Sequence, residues 1–247
     1  MDDSYGIVYA RLYRTHWWWR AREHYLEHLL ARHLAPGEAG EALDFGCGDG
    51  LFMDVLTRYG TPSGIEPHGE LLDPAGKWRS RISTDALTDD PTQRGRFGLV
   101  VALDVLEHLE DPAAAVAELA RRTKPGGLWV VTVPAFQSLW TSHDDLNQHV
   151  RRYRRHELAA LLRAGGLELI DVRYLFAWPA AAKLLVRAKE RLLGAVPEPP
   201  QVPFSPLNSV LYALCRAEQL LFGIVPPPFG SSVVAVARVS RGGLPSP

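Results

Sequence analysis

The stretch EALDFGCGDG, residues 41–50, runs a short apolar strand directly into Gly46, Gly48 and Gly50. Glycine opens backbone angles closed to other residues and lets a ligand approach the main chain. A glycine turn between a strand and the helix that follows it belongs to open α/β sheets, which bind ligands in the crevice outside their strand ends. No Lys-Ser/Thr pair follows, so the turn is not a phosphate loop of the GxxxxGK type.

The rest of the chain keeps that rhythm. LFMDVLTRY predicts a helix, TPSGIEP a second strand, RISTD a third, and FGLVVALD a fourth that is apolar enough for burial on both faces. DPAAAVAELARRTKPGG predicts a helix capped by Asp111, with Pro112 at its first position and Pro125-Gly126-Gly127 as its stop. LWVVTVP is a fifth strand, HELAALLRAGG a helix, LELIDVRYLF a sixth strand and SSVVAVARV a late one. Strands alternating with helices imply an open α/β sheet covered on both faces. Before the sheet, residues 20–34 have helical apolar spacing, ended by Pro36-Gly37.

Lys+Arg 27 against Asp+Glu 28 gives a net charge of -1, which gives no support for a broad nucleic-acid surface. Cys47 and Cys215 are too few for a disulfide framework, and with no signal-peptide pattern at the start the expectation is a cytoplasmic protein.

Three acids fall at predicted strand ends: Asp44 in LDFG, Glu66 in GIEPH and Asp85 in STDAL. Glu66 is placed to accept ribose hydroxyls, as in dinucleotide sites. Asp85 is placed to reach an adenine amino group, and Asp44 to meet an ammonium group or brace the glycine loop. Capping or solvation would also account for each acid. Taken together they suit a positively charged cofactor better than one bearing a pyrophosphate.

With these motifs in order, the chain resembles the class I S-adenosylmethionine-dependent methyltransferases, in the group similar to ubiquinone-biosynthesis methyltransferases. LDFGCGDG, GIEP, TDAL, FGLVVALDVLEHLEDP and RRTKPGGLWVVTVP carry the resemblance, over roughly residues 40–175. It implies a Rossmann-like doubly wound sheet of seven strands, mostly parallel, with SSVVAVARV as the antiparallel last strand. The expected organisation is one methyltransferase domain over 1–247: a helical cap (1–35), a cofactor core (40–175), a helical insertion (176–230) and a closing strand (231–240). The implied cofactor is S-adenosyl-L-methionine, held by Asp44, Gly46, Cys47, Gly48, Gly50, Glu66, Pro67, Asp85, Ala86, Leu103, Asp104 and His108. Pro67 departs from the small or polar residue common in the family after the second strand.

SHDDLNQHVRRY, residues 142–153, then lies beyond the fifth strand, at the edge that faces the transferable methyl group. His143 and His149 are candidates for a base or an acceptor-orienting group, with His143 slightly preferred. Structural hydrogen bonding is the competing account. The two are six apart, so a metal would need Asp144 or Asp145 and a folded-back loop, and no metal is assigned. Arg151, Arg152 and Tyr153 read as an anion clamp or a solvated helix start. Trp17, Trp18 and Trp19 cannot all face one core from a regular helix. Trp18, Trp19 and Trp140 are therefore candidates for the acceptor pocket, and the N-terminal segment for a lid.

The insertion holds two amphipathic helical stretches, AAAKLLVRAKERLLG and SVLYALCRAEQLLFG, joined by the proline-rich VPEPPQVPFSPLN. Packing on the body, lining a substrate channel and peripheral membrane contact all fit them. The expected acceptor is an amphiphilic small molecule methylated at oxygen or carbon, with an apolar body and a polar or anionic end, served by a monomer or homodimer. A non-catalytic cofactor-binding scaffold and a nicotinamide-dependent oxidoreductase are the alternatives.

Overall fold

A computed structural model describes residues 11–194, 200–223 and 226–242. Its seven strands are β1 (Gly40–Phe45), β2 (Gly60–Ile65), β3 (Ile82–Ser83), β4 (Phe97–Leu103), β5 (Thr123–Pro134), β6 (Leu167–Leu175) and β7 (Ser232–Val239). They form one sheet in the order β3-β2-β1-β4-β5-β7-β6, in which β7 runs antiparallel to both β5 and β6. The order reverses between β1 and β4, directly above the glycine turn. That is the switch point at which open α/β sheets take their ligands.

The central strands are buried on both faces because their residues feed two cores with a period of two. Trp129, Val131 and Val133 of β5 and Val233, Ala235 and Ala237 of β7 join the core on one face. Leu128 and Val130, with Val234 and Val236, join the core on the other. The helices are α1 (Trp17–His33), α2 (Met53–Leu56), α3 (Pro112–Arg122), α4 (Ser142–Leu146), α5 (Arg155–Ala164), α6 (Ala177–Leu193) and α7 (Ser205–Leu221). The Asp111 side chain caps α3 by accepting the Ala114 amide at 2.9 Å, with Pro112 at the first helical position, as the sequence predicts.

Several boundaries differ from the expectation. The helix after β1 is a single turn, Met53–Leu56, and β3 is only two residues long. α3 stops at Arg122, ahead of Pro125-Gly126-Gly127, because Thr123 already pairs with Phe97 and the glycines sit in an irregular start of β5. SHDDL, expected as loop, forms α4, closed by a reciprocal Thr141–Asp144 capping box.

The 176–230 stretch is anchored by specific hydrogen bonds. The Glu218 carboxylate of α7 accepts the Ala177 and Trp178 amides at 2.7 and 3.0 Å, capping the start of α6. Asn208 accepts the Trp17 amide and donates to the Thr15 carbonyl, fixing α7 to α1. The apolar stripe of α6 does not pack on the body, however. Leu184, Leu185, Leu192 and Leu193 are exposed. Residues 1–10 of the expected lid and 195–199 of the proline-rich link lie outside the described residues. Among the described residues, no helix is long and apolar enough to cross a membrane.

Candidate functional site

A cavity of about 1010 Å³ opens above the switch point. Its first wall is the turn after β1. Gly46 donates its amide to the Ile65 carbonyl at 2.8 Å with φ +70, and a Cβ there would stand 2.4 Å from a Val105 methyl. Gly48 has φ +50 and open space where its Cβ would be, which is the close backbone approach that a bound ligand needs. Gly50, also at positive φ, packs by Met53 and Trp78 and lies outside the cavity wall.

Glu66 follows β2 and is buried beside this turn. One carboxylate oxygen accepts the Gly48 amide at 2.9 Å and the other the His68 amide at 3.0 Å. It therefore both braces the glycine loop and faces the cavity. Asp44 is 2% exposed. Burial pushes its carboxyl up to about 7, with Glu66 adding to the rise and the nearby Arg22 guanidinium opposing it. Cys47 and Pro67 complete this wall. Asp85 and Ala86 are exposed and outside it, with the Asp85 carboxylate taken up by the Ser83 hydroxyl at 2.9 Å.

The floor is built where β4 ends. Asp104 has φ +59, rare for a residue other than glycine. Arg22, reaching across from α1, meets it at 2.7 Å and donates to Thr132 Oγ1 at 2.8 Å, while Thr132 donates to Asp104 at 3.0 Å. Leu103 and His108 line the cavity beside it, as does Glu107. Glu107 is fully buried, and neither carboxylate oxygen has a hydrogen-bond partner among the described residues. Burial, reinforced by Asp104, holds its carboxyl well above the usual range, and burial lowers His108 to about 4.

The third wall is the turn around α4. Asp144 is fully buried and accepts from Arg152 Nε at 2.8 Å, Arg152 Nη2 at 2.9 Å, His149 Nδ1 at 2.8 Å and the Thr141 amide at 2.9 Å. Burial would raise its carboxyl, but the bonds from His149 and Arg152 outweigh that and hold it below the usual carboxylate range. Gln148, with φ +57, turns the chain so that His149 joins the cavity wall. His143 also lines the cavity, its Nε2 3.1 Å from the Asn147 amide nitrogen. Burial, with Lys183 beside it, drops His143 to about 4, which makes it a weak base at neutral pH.

The anion clamp expected of the arginines is not available. Arg152 spends its guanidinium on Asp144 and on the Ala135 carbonyl at 2.8 Å, although it borders the cavity. Arg151, which is not on the cavity wall, donates to the Leu109 and Glu110 carbonyls. The Tyr153 hydroxyl donates to the Leu106 carbonyl within the core, and the Trp140 indole donates to Asp145 away from the cavity wall. Among the described residues, a cation outside the expected set stands in this region. Lys183 of α6 lines the cavity, and burial lowers its amine to about 8.

The roof is aromatic. Trp17, Trp18 and Trp19 all border the cavity, so the triplet does not divide between core and pocket. Trp17 stacks on Trp178 of α6 with centroids 5.1 Å apart, and Trp18 packs edge-on against Trp19. Arg22, Glu107 and Lys183 were missed for a common reason. Each looks like an ordinary helix or turn residue until distant segments meet, and only the D-x-x-E-H spacing after β4 hinted at one of them.

Comparison with known proteins agrees with this architecture. The family profile described as "Methyltransferase domain" matches residues 18–172. The ubiquinone biosynthesis O-methyltransferase of Methylococcus capsulatus is 36% identical over 97 residues, which cover 35% of this chain and 40% of that enzyme. Its Xanthomonas campestris namesake is 28% identical over 200 residues, covering 70% and 82%. An uncharacterized Streptomyces fradiae transposon protein is 32% identical over 139 residues, of which the matched stretch spans 39% of that protein's length. The first relatives are thus matched over about two fifths of their length. Among solved structures, a SAM-dependent methyltransferase from Archaeoglobus fulgidus superimposes with TM-score 0.53 at 15% identity, covering 87% and 94% of the two chains. A geranyl diphosphate methyltransferase in complex with SAM gives 0.55 at 17%, covering 86% and 84%.

Proposed function

This chain belongs to the methyltransferase domain family, with the fold of the class I S-adenosylmethionine-dependent enzymes, and we propose that it methylates an amphiphilic small molecule. The observation that carries this reading is that an acid-lined glycine end and an aromatic roof share one cavity. Open space over Gly48, the buried carboxylates of Asp44, Glu66 and Glu107 and the half-buried one of Asp104 fit a sulfonium nucleoside and disfavour a pyrophosphate. Bound there, S-adenosylmethionine supplies an electrophilic methyl group. Glu66 would hold the ribose, the Gly46–Gly48 backbone the methionine part and Asp44 its ammonium group.

The acceptor occupies the space between Trp18, Trp178 and Lys183. The aromatic walls take its apolar body and exclude water, and Lys183 attracts a polar or anionic end. His149, whose Nδ1 is fixed by Asp144, leaves Nε2 to engage an acceptor hydroxyl. Oxygen as acceptor atom accords with the names of the O-methyltransferase relatives. The exposed leucines of α6 beside the cavity suit contact with a lipid surface, from which such an acceptor would enter. Vesicle co-sedimentation tests that contact, and loss of binding in Leu185→Glu/Leu192→Glu is the expected result.

Calorimetry is the first test. The chain should bind S-adenosylmethionine or its demethylated product and not NAD, and failure of both methyl-donor ligands would overturn the reading. Asp44 adds a pH signature. The carboxyl is neutral below its pKa of about 7 and anionic above it, and a ligand ammonium prefers the anion. Cofactor affinity should therefore tighten about fivefold between pH 6 and pH 7, below the range in which the ligand's own α-amino group loses its proton, and Asp44→Asn should flatten that rise. Trp18→Ala should raise the acceptor's KM about tenfold with cofactor affinity unchanged, since one aromatic face lost from a pocket is worth roughly 1–2 kcal/mol. An unchanged KM would move the acceptor away from the roof.

A further inference from the structure

We propose that Lys183 is a catalytic residue that takes the proton of the acceptor hydroxyl, and that the acceptor is accordingly a phenol or an enol. The role rests on the methyltransferase reading and narrows its substrate class. Pro179, Ala182, Lys183, Val186 and Glu190 line the cavity at helical spacing, so α6 turns this face inward while Leu184 and Leu185 stay exposed. Lys183 brings an amine to that inner face. The arginines that border the cavity are already engaged: Arg22 meets Asp104 at 2.7 Å, and Arg152 gives both forks to Asp144. Glu190, one further turn pair along α6, is taken up by the Ser142 hydroxyl at 2.7 Å and the Ser142 amide at 3.3 Å. Among the described residues, no hydrogen bond or ion pair occupies the half-buried Lys183 amine.

An amine in that position is tuned for proton transfer. Its charged neighbours are Arg152 and Asp144 on the wall, Asp104 on the floor and Glu190 on its own helix, with the neutral His143 ring nearby. Burial, with Arg152 adding to it, lowers the amine to about 8, and the three carboxylates oppose the fall. The amine is therefore an ammonium below that value and a free base above it. His143 and His108, both at about 4, are far weaker bases. His149 has its Nδ1 committed to Asp144, which fixes the ring to orient the hydroxyl.

The same tuning selects the acceptor. A phenolic hydroxyl, ionising near pH ~10, passes its proton to this amine at a disadvantage of about a hundredfold. An aliphatic hydroxyl, close to water at ~15.7, would face one on the order of ten millionfold. The free amine of Lys183 accepts the hydroxyl proton as the oxygen–methyl bond forms and the sulfur–methyl bond breaks. The sulfur keeps that bonding pair as a neutral thioether, and the ammonium then loses its proton to solvent. Trp18 and Trp178, on the roof of the same cavity, take the acceptor's ring.

The test uses the full chain with S-adenosylhomocysteine and 4-nitrophenol, a phenol whose yellow anion reports its own ionisation. The native complex should bind the dye as its anion at a pH where the free dye is largely colourless. Lys183→Met should weaken that binding at least tenfold and abolish the colour, while Lys183→Arg, which keeps the charge, should retain both. In ¹³C NMR of ε-labelled lysine, the Lys183 signal should titrate near pH 8 and move when the dye is added. The remaining lysines, Lys77, Lys124 and Lys189, should titrate near pH ~10.4. Labelled methyl from S-adenosylmethionine should pass to 4-nonylphenol and not to 1-nonanol, at a rate that climbs through pH 8, and Lys183→Arg should lose that transfer at least tenfold. A dye that stays protonated in the native complex, a Lys183 signal that titrates with the other lysines, or equal transfer to 1-nonanol would each overturn the assignment. Calorimetry with S-adenosylhomocysteine alone is read separately. If it binds while the dye stays protonated, the methyltransferase reading stands and only the role of Lys183 falls.

Discussion

Replacing Asp144 with alanine should cost about 3–5 kcal/mol of folding stability, the range for removing one partner of a buried ion pair. In a domain of this size that lowers Tm by roughly 6–20 °C. Asp144 and the Arg152 side chain are both essentially inaccessible, and the carboxylate accepts both guanidinium forks, the His149 ring and the Thr141 amide. Its removal strands a charged guanidinium whose other hydrogen-bond partner among the described residues is the Ala135 carbonyl. The cost lies in the stranded charge more than in the lost bonds. The double variant Asp144→Leu/Arg152→Met should therefore be more stable than Asp144→Ala alone, and urea denaturation of the two decides it. Acid gives the same result by another route. The Asp144 carboxyl is depressed in the fold, so its contribution is complete above the unfolded carboxylate pKa and is lost as pH falls below it. A double variant no better than the single one would mean that Arg152 finds water when Asp144 is gone.

That network marks the boundary of what sequence could reveal. Strands β4, β5 and β7 are runs of Val, Ala and Leu, and continuous apolarity has one good explanation in an alternating α/β chain. The glycine turn was legible because φ +70 and +50 admit little besides glycine. Pairings of charged side chains carry no such signature. Arg22 meets Asp104 across 82 positions, and nothing near RARE announces a buried guanidinium. The cluster at 151–155 illustrates the same limit. Its arginines look alike in sequence, yet Arg152 is buried on Asp144, Arg151 holds two carbonyls and Arg154 and Arg155 are exposed. The leucines of α6 show periodicity giving the helix but not its partner, since an apolar stripe does not say whether protein or another phase covers it.

Glu66→Ala should weaken cofactor binding by about 1–3 kcal/mol, the worth of hydrogen bonds to a charged group, or roughly 5- to 150-fold in Kd. Two effects add. The carboxylate is the candidate ribose acceptor, and its oxygens also hold the Gly48 and His68 amides at 2.9 and 3.0 Å, so the loop loses its brace. Glu66→Gln separates them. The amide keeps one oxygen for a backbone donor but gives up the other acceptor and the charge, and should retain stability while losing most of the affinity. Asp85→Asn is the matched comparison, because that side chain is exposed beyond the cavity and bonded to Ser83. Its Kd should stay within about twofold of the native value, the scatter of a surface substitution. A loss at Asp85 equal to that at Glu66 would place the adenine against β3, and the acid at the end of β2 would then be a brace for the glycine loop and nothing more.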